Sequence, residues 1–161
     1  METKLNPADR AKRRHLVLEV KASLREVRNQ LSLLNRQVGS RIELRDIDLD
    51  TVDLLSQAGP LSPSVLARRL GQHPATVTGI VDRLERDGWV TRERAADDRR
   101  AVLVRAVPER NSEVLEQYTG MNDAMDGLLA GYSEEQLETI AGFLRASAEA
   151  GAAATEALQR A

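Results

Sequence analysis

Two stretches of this chain carry side chains whose types and spacing suit contact with a polyanion. The first is Pro74-Ala75-Thr76-Val77-Thr78-Gly79. Ala75, Thr76, Thr78 and Gly79 make a small, hydroxyl-bearing surface, while Val77, Ile80, Val81 and Leu84 recur at helical spacing toward a core. A duplex major groove admits an α-helix, and small or polar residues at its N-terminal end come closest to the base edges. Arg83, one turn beyond Gly79, is expected on the same exposed side, within reach of a phosphate or a guanine. The second stretch is the arginine cluster Arg92, Arg94, Arg99 and Arg100, with Asp97 and Asp98 beside it. Arginine entering a narrow minor groove reads its negative potential rather than a base code. Taken singly, each stretch also has a plainer reading, as an exposed helix face or a salt-bridged hairpin. Their setting decides between the readings.

Other chemistries find little support. His15 and His73 lack the neighbours of a metal site, and there is no nucleophile–base pair or phosphate-loop pattern. No enzyme activity, metal or cofactor is expected. The absence of cysteine removes disulfides and thiolate sites together. Aromatic residues are only 2% of the chain, which disfavours binding to single strands through stacked bases. The 161 residues are 42% hydrophobic and 30% charged, as in a folded globular protein. With no apolar run long enough to span a bilayer and no signal core, the expected location is cytoplasmic, without membrane contact.

The net charge of −2 conceals a division. Residues 1–38 carry nine Lys/Arg against four Asp/Glu, and residues 62–105 carry nine against six. Residues 109–161 carry three against ten. A basic portion on an acidic chain marks a local polyanion-binding face.

The elements that must position these groups follow from the pattern. Asn6-Pro7 opens a long helix whose stripe is Leu16, Val20, Leu24, Val27, Leu31, Leu34 and Val38, with Gly39-Ser40 as its expected end. So long a stripe suits pairing with a partner chain. Asp46 caps a second helix to about Ala58. Ser62-Pro63 starts a third that ends at Gly71, and His73-Pro74 starts a fourth that ends at Gly88. Two short helices joined by a tight turn form a helix-turn-helix. Residues 89–94 and 101–107 read as a β-hairpin around a charged tip. Pro108 opens a fifth helix to about Ala130, weakened by Gly120 and Gly127. Ser133-Glu134-Glu135-Gln136 is a capping box for a sixth, followed by an Ala-rich tail that frays or packs along a partner.

The residues Leu61 to Gly71, Pro74 to Thr78, Val81 to Val90 and Asp98-Arg99-Arg100-Ala101-Val102 together resemble the MarR family of transcription regulators. The resemblance is strong over residues 50–110 and implies a mainly α (α+β) winged helix-turn-helix with six helices and one hairpin wing. It further implies that residues 47–108 form the DNA-binding lobe, and that 1–46 and 109–161 form a helical dimerisation region. The implied contacts are Ser62, Ser64, His73, Pro74, Ala75, Thr76, Thr78, Gly79 and Arg83 around the recognition helix. In the wing they are Arg92, Arg94, Arg99 and Arg100, with Asp98 fixing Arg100. Two positions depart from the family pattern. His73 stands where a better helix cap is usual, and Gly79 where a long polar residue is common.

The function so implied is that of a homodimeric, DNA-binding repressor of a pseudo-palindromic operator. Its relatives commonly respond to an aromatic or anionic small molecule bound between the dimer helices and the DNA lobes, for which Arg14, His15 and Arg45 are candidates. The competing reading is a winged-helix module that binds a protein and no DNA. The small-residue helix start and the basic hairpin weigh against it, because protein interfaces favour exposed aromatic and large apolar groups.

Overall fold

The computed structural model describes residues 6–94 and 101–160. Two compact units emerge, 1–46 and 47–161.

The first unit is dominated by α1 (Pro7–Arg41). Asn6 caps it, its side-chain oxygen accepting from the Ala8 and Asp9 N–H groups at 2.7 and 3.1 Å. The helix does not stop at Gly39-Ser40. Gly39 lies buried inside it, and the end comes at Glu43, whose φ of 58° turns the chain so that Leu44 N–H donates to the Gly39 carbonyl at 2.8 Å. A left-handed residue with that bond is what terminates many helices, and here a non-glycine supplies it. The expected stripe is present and lies open: Leu16, Val20, Leu24, Val27 and Leu31 are all exposed.

The second unit holds α2 (Asp46–Ala58), α3 (Pro63–Leu70), α4 (Pro74–Arg86), β1 (Val90–Arg94), β2 (Val102–Ala106), α5 (Pro108–Gln117), α6 (Thr119–Leu129) and α7 (Glu134–Arg160). Its core is aliphatic. Leu49, Val52 and Leu55 come from α2, Leu66 from α3, and Val77, Ile80, Val81 and Leu84 from α4. Trp89, Val90 and Val104 add the hairpin's contribution. The strands pair antiparallel, with Val90 opposite Ala106, Arg92 opposite Val104 and Arg94 opposite Val102. Leu61, just before α3, forms a further antiparallel bridge to Val104.

Glycines stop the two short helices. Gly71 (φ 63°) ends α3, with Gln72 N–H donating to the Ala67 carbonyl at 2.9 Å. Gly88 (φ 77°) ends α4 in the same way, with Trp89 N–H donating to Leu84 at 2.8 Å, and swings the chain into β1.

The expected fifth helix is two. At Tyr118 the backbone relaxes to ψ −1° and its N–H donates to Leu115, three residues back. The Thr119 hydroxyl donates to the Glu116 carbonyl at 2.9 Å, competing with the helix's own bonding just before Gly120. Seven helices therefore stand among the described residues where six were expected. The capping box forms as read: Ser133 N–H donates to Gln136 Oε1 at 2.9 Å, and Gln136 N–H to Ser133 Oγ at 3.3 Å. The Ala-rich tail continues α7 as helix to Arg160. Among the described residues no helix is long and apolar enough to cross a membrane.

Gly88 bears directly on where the hairpin goes. A Cβ there would meet no neighbour, yet the positive φ strains any L side chain. Gly88→Ala is expected to cost about 1–2 kcal/mol in urea unfolding. An unchanged unfolding midpoint would contradict the assigned turn.

Candidate nucleic-acid interface

The inward side of α4 fixes what its outward side presents. Val77, Ile80, Val81 and Leu84 are at most 3% exposed, so the helix cannot roll. Ala75, Thr76, Thr78 and Gly79 are consequently exposed together along its first two turns. The Thr78 hydroxyl donates to the Pro74 carbonyl at 3.1 Å, which leaves its oxygen outward as an acceptor. His73 does cap the helix, Nδ1 accepting from Ala75 N–H at 3.3 Å. That bond is longer than either bond made by Asn6 to α1, so the cap is present but loose. At the start of α3, Ser62 Oγ accepts from Val65 N–H at 3.4 Å and lies 3.0 Å from Ser64 Oγ.

The arginines divide. Arg83 does not face freely outward. Its Nε and Nη2 donate to the two Asp48 oxygens at 2.9 and 2.5 Å, a fork onto a carboxylate whose side chain is only 3% exposed. The bond to Asp48 holds the Arg83 pKa above its ordinary value against the opposing effect of burial. Arg92, on β1, reaches back to α4 and donates to Asp82 at 2.5 Å and to Glu85. Its pKa is raised too, first by the bond to Asp82. Arg105 on β2 forks onto Glu93 at 3.1 and 2.9 Å. Arg94 is exposed on β1, and Arg68 and Arg69 are exposed in the last turn of α3. Asp98, Arg99 and Arg100 lie outside the described residues.

Asp48, Asp82 and Glu85, which hold the two arginines expected at the DNA, carry no expectation from the sequence pattern above. Asp48 had a legible signal, since it shares the stripe of Val52 and Leu55 at helical spacing, and a buried carboxylate there needs a cation. Asp82 and Glu85 had none. Only the hairpin's path over α4 brings Arg92 to them.

The lobe is also tied to α5. Arg110 lies over the buried Trp89 ring at 3.9 Å from its centroid, and Ser56 of α2 donates to Asn111 at 2.7 Å. The candidate effector residues are not gathered in one chain. Arg14 and His15 lie near the start of α1, and Arg45 follows its far end, about 40 Å along the axis at the helical rise. Among the described residues no cluster of potential ligands could hold a metal ion.

Comparison with known proteins bears on this geometry. The model of the MarR family matches residues 48–102, from α2 to the first residue of β2. YcgE of Bacillus subtilis, an HTH-type transcriptional regulator, is 29% identical over 125 residues, which are 78% of this chain and 81% of that one. The solved structure of the transcriptional regulator Tm0710 from Thermotoga maritima superposes with a TM-score of 0.61 at 25% identity, over 83% of this chain and 94% of that one. A mutant of MepR from S. aureus, solved bound to an oligodeoxyribonucleotide, superposes with a TM-score of 0.54 at 20% identity, over 81% and 96% of the two chains. At that identity the last likeness is one of fold alone. The family is the one that the sequence resembles.

The fork between Arg83 and Asp48 yields a direct test. In a double-mutant cycle built from Asp48→Asn and Arg83→Met, unfolding should give a coupling energy of about 1–3 kcal/mol. Additive effects would mean that the fork contributes nothing to holding α4.

Proposed function

We propose that this chain, whose residues 48–102 match the model of the MarR family, is a cytoplasmic transcription regulator that binds duplex DNA as a homodimer. It acts as a ligand-responsive repressor on a pseudo-palindromic operator. One observation carries the reading. The start of α4 is exposed, small and hydroxyl-bearing, while the opposite side of the same helix is completely buried. A helix so arranged suits insertion into a major groove.

In this reading Ala75, Thr76, Thr78 and Gly79 face base edges, and Ser62, Ser64, His73 and Pro74 lie near the flanking phosphates. Arg94, Arg99 and Arg100 form the wing's minor-groove contact, with Asp98 fixing Arg100. The oligonucleotide-bound MepR mutant, which shares the fold, supports a DNA partner.

Dimerisation is assigned to residues 1–46 and 109–161, and DNA binding to residues 47–108. The reading is supported by the exposed apolar stripe of α1 and by Leu128, Phe143 and Leu144, each 46–65% exposed on α6 and α7. Apolar surface on that scale marks an interface. The effector is a small aromatic or anionic compound. Its cleft would draw Arg14, His15 and Arg45 from different protomers. Binding there favours a lobe spacing that does not fit successive major grooves.

Fluorescence anisotropy with the upstream DNA of the protein's own gene, at two salt concentrations, tests the function. Affinity should fall steeply as salt rises and should exceed that for scrambled DNA. Binding without sequence preference at either salt would instead leave a module for a protein partner. Arg100→Ala should weaken specific binding at least about tenfold and leave the dimer intact in light scattering. Unchanged affinity would remove the wing from the contact.

A further inference from the structure

We propose that Arg83 and Arg92 are positioning residues, which set the recognition helix in the DNA without touching it. The inference rests on the DNA-binding reading above and assigns these two arginines a different task from their neighbours.

The geometry forms one chain of charged contacts. Asp48 on α2 holds Arg83 on α4 through two bonds, 2.9 and 2.5 Å. From the same helix, Asp82 and Glu85 hold Arg92 on β1. The helix proposed for the major groove is thus tethered on one side to α2 and on the other to the first strand of the wing. Each tether has the planar, two-bond form that fixes direction as well as distance. Asp48 is buried and meets a guanidinium that is itself only 24% exposed. Arg92 divides its two terminal nitrogens between two carboxylates one turn apart on α4, which restrains sliding of the strand along the helix.

The same contacts remove both cations from the pool available to phosphates. An arginine neutralised by carboxylates releases few counterions when DNA arrives, so it adds little to the salt dependence of binding. Its effect is on orientation, and orientation matters only where base edges are read. Non-specific binding, which depends on charge, is left to arginines such as Arg68, Arg69 and Arg94. The two tethers therefore act on discrimination between sequences rather than on affinity for DNA as such.

The test compares the wild-type protein with Arg92→Met and with Asp82→Asn/Glu85→Gln. Each is titrated against an operator selected from random duplexes and against scrambled DNA, over a series of salt concentrations. Both variants should lose about tenfold of the ratio between specific and scrambled affinity, in the range found for networked pairs. Arg92→Met should keep the wild-type salt slope. The carboxylate variant should bind scrambled DNA no more weakly than the wild type, because it has lost negative charge. Arg92 is accessible enough that its variant should fold, and thermal melting followed by circular dichroism verifies this.

Three outcomes separate the possibilities. A wild-type protein that selects no sequence overturns the DNA-binding reading itself. Specific wild-type binding, with an Arg92→Met slope lower by about 2 per dimer and equal losses on every sequence, shows a phosphate contact and overturns the positioning role alone. Intact discrimination in both variants shows a tether of stability only and overturns it equally.

Discussion

Burial of one side of α4 is the constraint on which the remainder of this structure depends. Val77, Ile80, Val81 and Leu84 are at most 3% exposed, and they pack in a lobe whose aromatic contribution to the core is Trp89. Close-packed aliphatic side chains permit one rotation of the helix about its axis and few others. With that rotation fixed, Ala75, Thr76, Thr78 and Gly79 must lie on the outside. The outward surface is therefore a consequence of the inward one. No residue on it stabilises the fold by packing, and Gly79 lowers the intrinsic stability of the helix by up to about 1 kcal/mol relative to alanine.

Rotation alone does not fix where a helix lies along its own axis or how it tilts. Electrostatic forks at both flanks supply those restraints, Asp48 with Arg83 and the Asp82–Glu85 pair with Arg92. The glycines at 71 and 88 then turn the chain sharply at the ends of α3 and α4, so the hairpin leaves next to the helix that it must accompany. Arg110 over Trp89 and Ser56 with Asn111 extend the same set of contacts into α5. A force applied to α5 would thus reach the lobe through packed and bonded groups.

Much of this was legible in the sequence, wherever the causes were local. Asn6, Ser133 with Gln136, Gly71 and Gly88 each act within a few residues of themselves, and each does what its type suggests. The end of α1 differs from expectation because Gly39-Ser40 resembles a terminator, whereas burial keeps Gly39 helical and Glu43 takes the left-handed turn. The break at Tyr118 arises from a threonine–carbonyl bond that helix propensity does not register. Leu61 bridging to Val104, and Arg92 reaching Asp82 and Glu85, depend on how the chain returns upon itself. Period and composition are silent about such contacts. Arg83 shows the difference most clearly: its place on the helix and the need of Asp48 for a cation are both legible, but that the two meet is not.

DNA recognition by this protein requires the outward start of α4 to enter a major groove. Because the chain has no cysteine, Thr76→Cys can carry a single iron–chelate cleavage reagent. Bound to selected duplex DNA, the labelled protein should cut within two half-sites, about one helical turn or roughly 34 Å apart. A parallel label at Glu149→Cys on α7 should cut weakly or elsewhere. Equal, unlocalised cleavage from both positions, or none from position 76, would contradict the account.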